Sequence, residues 1–389
     1  MRLLLFSNFI LVVASNLVAL DFSYNGQLTQ TYLQTTGNQP DYDGFMFNRT
    51  DEGSWKFTEM TLGGSVDVNE NFRVGLQGIS RVYGDYGNYD ITLDWGYADY
   101  RFSDYFGIRA GKVRNALGLY NESRDVDSAR NSILLSQDIY EESYRAFINS
   151  IIGASVYGSF EKDTWGTFDY QIIFGNVDIA DDFFFNDELA KVGVNKSPDF
   201  RGDWHATAYL EYAVPWGSRL DGLKLAFSHS EFRAKADIAP VFGPRDFEYD
   251  LDVSTTIYSI EYDQFDYTLG AEYMHRLFGP KIPDDVSAVY DAPAFAALRA
   301  GWDGILSFST NDVRAYYVYG AYHFTEKYTA QLMYSVSDHR GRVDTDSNTY
   351  TFSQRYDFDD YVVGKLEYKH ILSDTGKWGV FLARLGLSF

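Results

Sequence analysis

The chain has 389 residues, 45% hydrophobic and 18% aromatic, with 32 Tyr, 30 Phe, no Cys and a formal net charge of -22. Such acidity excludes nucleic acid as a partner, because a phosphate backbone calls for a basic surface, and the missing Cys excludes a disulfide framework and thiolate metal sites. Beyond the N-terminus no apolar run approaches the roughly 18 to 20 residues of a membrane-spanning helix, so any bilayer crossing falls to strands.

Residues 1–19 have the layout of a signal peptide: Arg2, an apolar stretch from Leu3 to Phe6 and Phe9 to Val13, then small residues ending near Ala19, where cleavage is expected. A retained anchor helix is the weaker reading, since the apolar stretch is short and broken by Ser7 and Asn8. From Phe22 onward the pattern alternates with period two, which puts one set of side chains on each face of a strand. Phe22, Tyr24, Gly26 and Leu28 alternate with Ser23, Asn25, Gln27 and Thr29; Phe168, Tyr170, Ile172 and Phe174 with Asp169 and Gln171; Tyr267, Leu269 and Tyr273 with Thr268 and Glu272. The segments run about 10 to 14 residues, the length that tilted membrane strands require.

Very short polar links, at 69–71, 103–105, 161–164, 263–265, 325–327 and 358–359, alternate with long ones at 36–53, 115–148, 178–202, 234–250 and 278–311. Short turns at one end and long loops at the other are the asymmetry of an outer-membrane barrel. Both ends of such a chain lie in the periplasm, so the strand count is even. Thr349 to Tyr356, with Tyr350, Phe352 and Tyr356 on one face, supplies the strand that parity requires. The expectation is an all-β transmembrane antiparallel barrel over 20–389, of roughly sixteen strands, a size that leaves an aqueous channel. The last strand carries Phe381, Ala383, Leu385, Leu387 and the final Phe389 on one face, and this ending resembles the signal read by barrel-assembly machinery.

The stretch from Asp94 to Phe174 resembles bacterial outer-membrane porins related to the phosphate-selective porin family. It carries Gly111, Lys112, Val113 and Arg114 at a strand end, followed by Leu117, Gly118 and Leu119, with Ala116 where that family's pattern has proline. The likeness covers about a fifth of the chain; elsewhere the chain matches only as barrel architecture. It implies a porin in the outer membrane of a Gram-negative bacterium, a homotrimer, and a third external loop, about 115–148, that folds inward and narrows the pore. Phosphate selectivity does not carry over, because the charges along the pore are mixed.

Bare charges facing lipid are costly, so the polar face lines the lumen. Arg73, Arg81, Arg109, Arg355, Lys365, Lys369 and Arg384 then come from the early and last strands, and Asp169, Glu211, Glu261 and Glu272 from the opposite wall, while Glu59, Asp67 and Glu367 depart from this sorting. The expected constriction sets a basic wall (Arg73, Arg81, Arg109, Lys365, Arg384) against loop carboxylates (Glu122, Asp125, Asp127, Asp138, Glu141). Opposed charges of this kind orient dipolar solutes. The alternative is a set of paired ions filling the interior. The six His are scattered without metal-ligand spacing and no nucleophile–base motif is present, so neither enzyme nor cofactor is expected. The expected function is passive diffusion of ions and small hydrophilic solutes, in contact with outer-membrane lipid and lipopolysaccharide. A channel selective for an anion or oligosaccharide, and a non-conducting receptor or adhesive barrel, are the alternatives.

Overall fold

The computed structural model describes residues 21–37, 50–84, 87–177, 179, 201–239, 245–281, 283–290, 312–340, 345–374 and 376–389; the expected signal peptide lies outside the described residues. Sixteen strands are present among them: β1 Asp21–Gly37, β2 Phe57–Asn69, β3 Phe72–Tyr83, β4 Ile91–Ser103, β5 Phe106–Arg114, β6 Ser150–Lys162, β7 Gly166–Asn176, β8 Arg201–Ala213, β9 Leu223–Ile238, β10 Phe247–Asp263, β11 Tyr267–Lys281, β12 Asp312–Thr325, β13 Tyr328–Arg340, β14 Thr345–Asp357, β15 Val362–Ser373 and β16 Gly376–Ser388. Each pairs antiparallel with its neighbours in sequence, and β1 pairs with β16, so the sheet closes and no edge remains. No described helix is long and apolar enough to cross a membrane.

The closing seam ends at the last residue. Gly26 N donates to Phe389 O at 2.9 Å and Phe389 N to Gly26 O at 3.0 Å. The Phe389 ring lies over Gly26, where a Cβ would fall 2.4 Å from it.

Period-two alternation explains the two faces. Leu28, Leu62, Leu76, Ile172, Phe174, Leu269, Leu332, Leu366 and Leu385 are exposed on the outside, while Thr29, Gln77, Gln171, Glu272, Lys365 and Arg384 are buried inside. At the end with the short turns the outer surface carries rings in contact: Phe102 with Phe106 at 5.3 Å and Phe324 with Tyr328 at 5.4 Å across strands, Tyr105 of a turn with Phe160 at 5.2 Å, and Tyr356 with Phe358 at 5.1 Å where β14 runs into its turn. An apolar outer band flanked by aromatic side chains is the surface a bilayer requires of a barrel.

All six short links expected from sequence fall between paired strands, and a seventh connection at that end, 214–222, is longer. The segment 234–250 corrects an expectation: β9 continues to Ile238 and β10 begins at Phe247, so the connection is 239–246. The reason is a change of polarity along one strand. Leu225 is exposed outside, whereas Phe232, Ala234, Ala236 and Ile238 are buried inside, and Glu231, Arg233, Lys235 and Asp237 take the outer face. The upper part of β9 packs its apolar residues inward, against residues of the segment joining β5 to β6, with the rings of Phe147 and Phe232 stacked at 5.0 Å.

Candidate functional site

The segment 115–149 meets inward-facing side chains on three stretches of the wall. The first contact is with β1 and β14–β16. Asp127 Oδ1 lies 3.0 Å from Lys365 Nζ and 3.0 Å from Arg384 Nη1, and its backbone N donates to Gln27 Oε1 at 2.8 Å. Lys365 Nζ also donates to Asp127 O at 2.6 Å, and Arg355 Nη1 to Ser128 O at 2.6 Å. Ile133 N donates to Glu367 Oε2 at 2.7 Å, and Glu367 is in turn paired with Lys369 at 3.2 Å. Ile133 and Leu134 then sink among Leu33, Phe57, Tyr83, Trp378 and Leu382. Burial pushes the Asp127 carboxyl up, but Lys365, Arg384 and Arg130 outweigh it and hold the group well below the usual carboxylate range.

The second contact is with β3 and β4. Arg145 Nη2 bridges Asp125 Oδ1 at 2.6 Å and Asp94 Oδ1 at 3.0 Å, and Arg114 Nη2 reaches Asp94 at 3.3 Å and Asp125 at 3.6 Å. Glu142 accepts from Arg124 Nη2 at 2.5 Å and Arg81 Nη1 at 2.9 Å. Burial opposes ionisation of Glu142, yet Arg124, Arg145 and Arg81 bring its pKa down to about 2. Asp125 is lowered in the same way, by Arg145, Arg114 and Arg124 against burial.

The third contact is with β9–β12. Glu272 Oε1 accepts from Leu119 N at 2.8 Å and Ser259 Oγ at 2.6 Å, and its Oε2 from Tyr140 Oη at 2.6 Å and Tyr317 Oη at 2.5 Å. Gly118 N donates to Ser228 Oγ at 2.9 Å, and Tyr120 donates to Glu261. Gly118 has φ 63°, and a Cβ there would lie 2.2 Å from Tyr140 Oη, so glycine serves both the turn and the close approach. Gly111, at φ 137°, is likewise in the region that favours glycine. The two glycines quoted for the family likeness thus have a backbone reason.

The β4–β8 side keeps open space, a cavity of about 630 Å³ bounded by Arg101, Arg109, Glu122, Tyr157, Asp169 and Tyr209 among others. Glu122 is solvent-exposed within this space. The protein mass surrounding this space desolvates the carboxyl and raises its pKa, and Arg109 and Arg114 act against that rise. Arg109 Nε pairs with Asp99 Oδ2 at 3.2 Å, and its guanidinium lies 4.1 Å from the centre of the Tyr157 ring.

Of the basic residues singled out in the sequence, Lys365 and Arg384 touch Asp127, Arg81 touches Glu142, and Arg109 borders the same cavity as Glu122. Arg73 meets no part of the segment in any ion pair; it pairs with Asp67 at 2.5 Å near the short turn between β2 and β3, its side chain 55% exposed. The Lys365–Asp127–Arg384 group is closed and buried, and so differs from two charged rows facing each other across water. Asp138 is pushed up by burial and accepts from Ser136 Oγ at 3.4 Å, and Glu141 lies within electrostatic reach of Arg276. Asp94, the carboxylate at the centre of the second contact, escaped the sequence reading because a bulge opposite Gln77 and Gly78 breaks the alternation of β4. Among the described residues no group of three or more His, Asp or Glu is arranged to hold a metal ion.

No protein family and no curated protein matches the chain. Solved structures do match in fold. OmpT, an outer membrane protein of Vibrio cholerae, in-vitro folded and in a trimer form, aligns over 95% of this chain and 100% of its own, with TM-score 0.56 and 14% identity. OmpF of Salmonella typhi, in complex with daunomycin, aligns over 95% and 97%, with TM-score 0.58 and 10% identity. The outer membrane channel DcaP of Acinetobacter baumannii aligns over 96% and 98%, with TM-score 0.54 and 10% identity. The chain shares with them the closed barrel of outer-membrane proteins.

Proposed function

We propose that this chain is an outer-membrane porin, a water-filled channel for passive diffusion of ions and small hydrophilic solutes, whose bore is set by the segment 115–149. The observation that carries the reading is the placement of that segment's contacts. They lie on β1, β3–β4, β9–β12 and β14–β16, and open space remains beside β4–β8, bordered by polar groups such as Gln171, Ser159 and Tyr209. An aqueous path confined to one side of the lumen by a fixed segment passes solutes by size and excludes apolar ones. The signal peptide at 1–19, the role of Phe389 in assembly and a homotrimeric state belong to the same proposal, the last supported by the trimer form of OmpT. The likeness to the phosphate-selective group rests on Gly111–Arg114 and Leu117–Leu119 and carries no solute assignment.

Swelling of liposomes that hold the purified protein tests the reading. Uptake of a pentose faster than that of a trisaccharide is expected. Liposomes that swell no faster than protein-free ones would overturn it, and would favour a barrel whose filled lumen serves only to display its loops.

A further inference from the structure

We infer that the lumen favours cations over anions, and that Glu122 is the specificity-determining residue. This rests on the channel reading above. The whole-chain charge of -22 does not decide the matter, because it counts groups far from the water path. What decides it is which charges still face that path after the segment has docked.

The segment's own charges are largely neutralised. Asp125 is paired with Arg145 and Arg114, Asp127 with Lys365 and Arg384, and Glu142 with Arg124 and Arg81. Of the basic wall, Arg81, Lys365 and Arg384 are neutralised by the same contacts, the side chains of the last two wholly covered, while Arg73 pairs with Asp67 and Arg109 with Asp99. Positive charge expected from sequence to face the water is therefore withdrawn from it.

The β4–β8 side is different. Glu122 is held there by its backbone, whose carbonyl accepts from Arg114, while its carboxylate borders the cavity within electrostatic reach of Arg109 and Arg114 and enters no ion pair among the described residues. Asp104, Glu161, Asp163 and Asp169 border the same cavity, also without an ion pair among the described residues, against Arg101 and an Arg109 already paired with Asp99. Five carboxylates against two guanidiniums leave the path acidic. Low-dielectric walls focus the field of such charges along the axis, which concentrates cations and depletes anions. Glu122 stands on the docked segment, which narrows the path from within, and it borders the cavity together with Arg109. The four other carboxylates sit lower, on β7 or at the short-turn end of β4 and β6. The charge at the narrowed level carries the preference.

The test is the reversal potential of the purified protein in a planar bilayer under a tenfold KCl gradient at pH 7. A potassium-to-chloride permeability ratio of several-fold is expected, falling at least twofold in Glu122→Gln and below one in Glu122→Lys. A ratio below one in the unaltered protein, or one unmoved by Glu122→Gln in a variant that migrates as a folded barrel, would overturn the inference. The unaltered protein supplies a second readout that needs no variant: raising salt from 0.1 to 1 M shortens the screening length from about 10 Å to about 3 Å, and the ratio should fall towards one. A ratio independent of salt would count against control by a water-facing carboxylate. Absence of any conductance would defeat the channel reading itself, whereas conductance with anion preference would defeat this inference alone.

Discussion

Asp127 joins the segment 115–149 to the β15–β16 wall through two buried cations, Lys365 and Arg384. Replacing it with Asn leaves both cations buried without their counter-charge, a change that costs about 3–5 kcal/mol when one member of a buried pair is removed. Asp127→Asn is therefore expected to loosen the segment and to speed tryptic cleavage after Arg130; a cleavage rate equal to that of the unaltered protein would show that the pair does not hold it. The response to acid follows from the same groups. Glu142 has its pKa lowered to about 2 in the fold, so its contribution is fully present above the ordinary value of 4.5 and is lost only as pH falls through about 2. Asp125 and Asp127 shift in the same direction. Protease protection of the segment should thus persist unchanged from pH 7 to pH 4, and release near pH 5 would contradict the assignment. Arg73 and Arg109 separate the rim from the cavity. Arg109→Gln should change single-channel conductance measurably and Arg73→Gln should not, since Arg73 is exposed and paired with Asp67. The residues that departed from the charge sorting in the sequence are informative here. Asp67 and Glu367 are the counter-ions of Arg73 and Lys369, and Glu367 also receives Ile133 N. The first two pairings are local, but the contact of Glu367 with Ile133 joins residues more than two hundred positions apart, which alternation along one strand does not encode.

At the level of elements, the strands that were plainest in sequence are those with one apolar and one polar face throughout, such as β7, β11 and β16. The upper parts of β9 and β10 were read as a loop because their polarity reverses: Phe232 faces in where Phe227 faces out, five positions before it. A strand that leaves the bilayer meets water outside and the packed segment inside, and its pattern changes phase accordingly. The 214–222 connection was missed because Pro215 and Gly217 follow a strand with no short polar link. Close approach of β6 and β7 supplies a test. A Cβ on Gly153 would lie 2.2 Å from Phe174 O, and one on Gly175 2.2 Å from Ile152 O, both fixed backbone atoms. Gly153→Val is expected to lower the folded fraction severely, read as loss of the heat-modifiable band in a detergent gel; folding at the normal yield would show that the two strands part without cost.

For the whole molecule, barrel closure and lumen are linked through the same residues. β16 pairs with β1 along its length and carries Arg384 on its inner face, so the strand that completes the wall also receives the segment that crosses behind it. The architecture was legible in sequence because parity and the asymmetry between the two ends are properties of the entire chain. The bore was not, because it depends on which ion pairs close when the segment docks. The most direct test of that account is single-channel conductance in a planar bilayer, comparing the unaltered protein with a variant in which 123–147 is replaced by a short Gly/Ser linker. Discrete conductance steps are predicted for the unaltered protein and steps at least twofold larger for the shortened one. A silent unaltered barrel, or steps of equal size in the two proteins, would contradict the claim that this segment sets the bore of a porin.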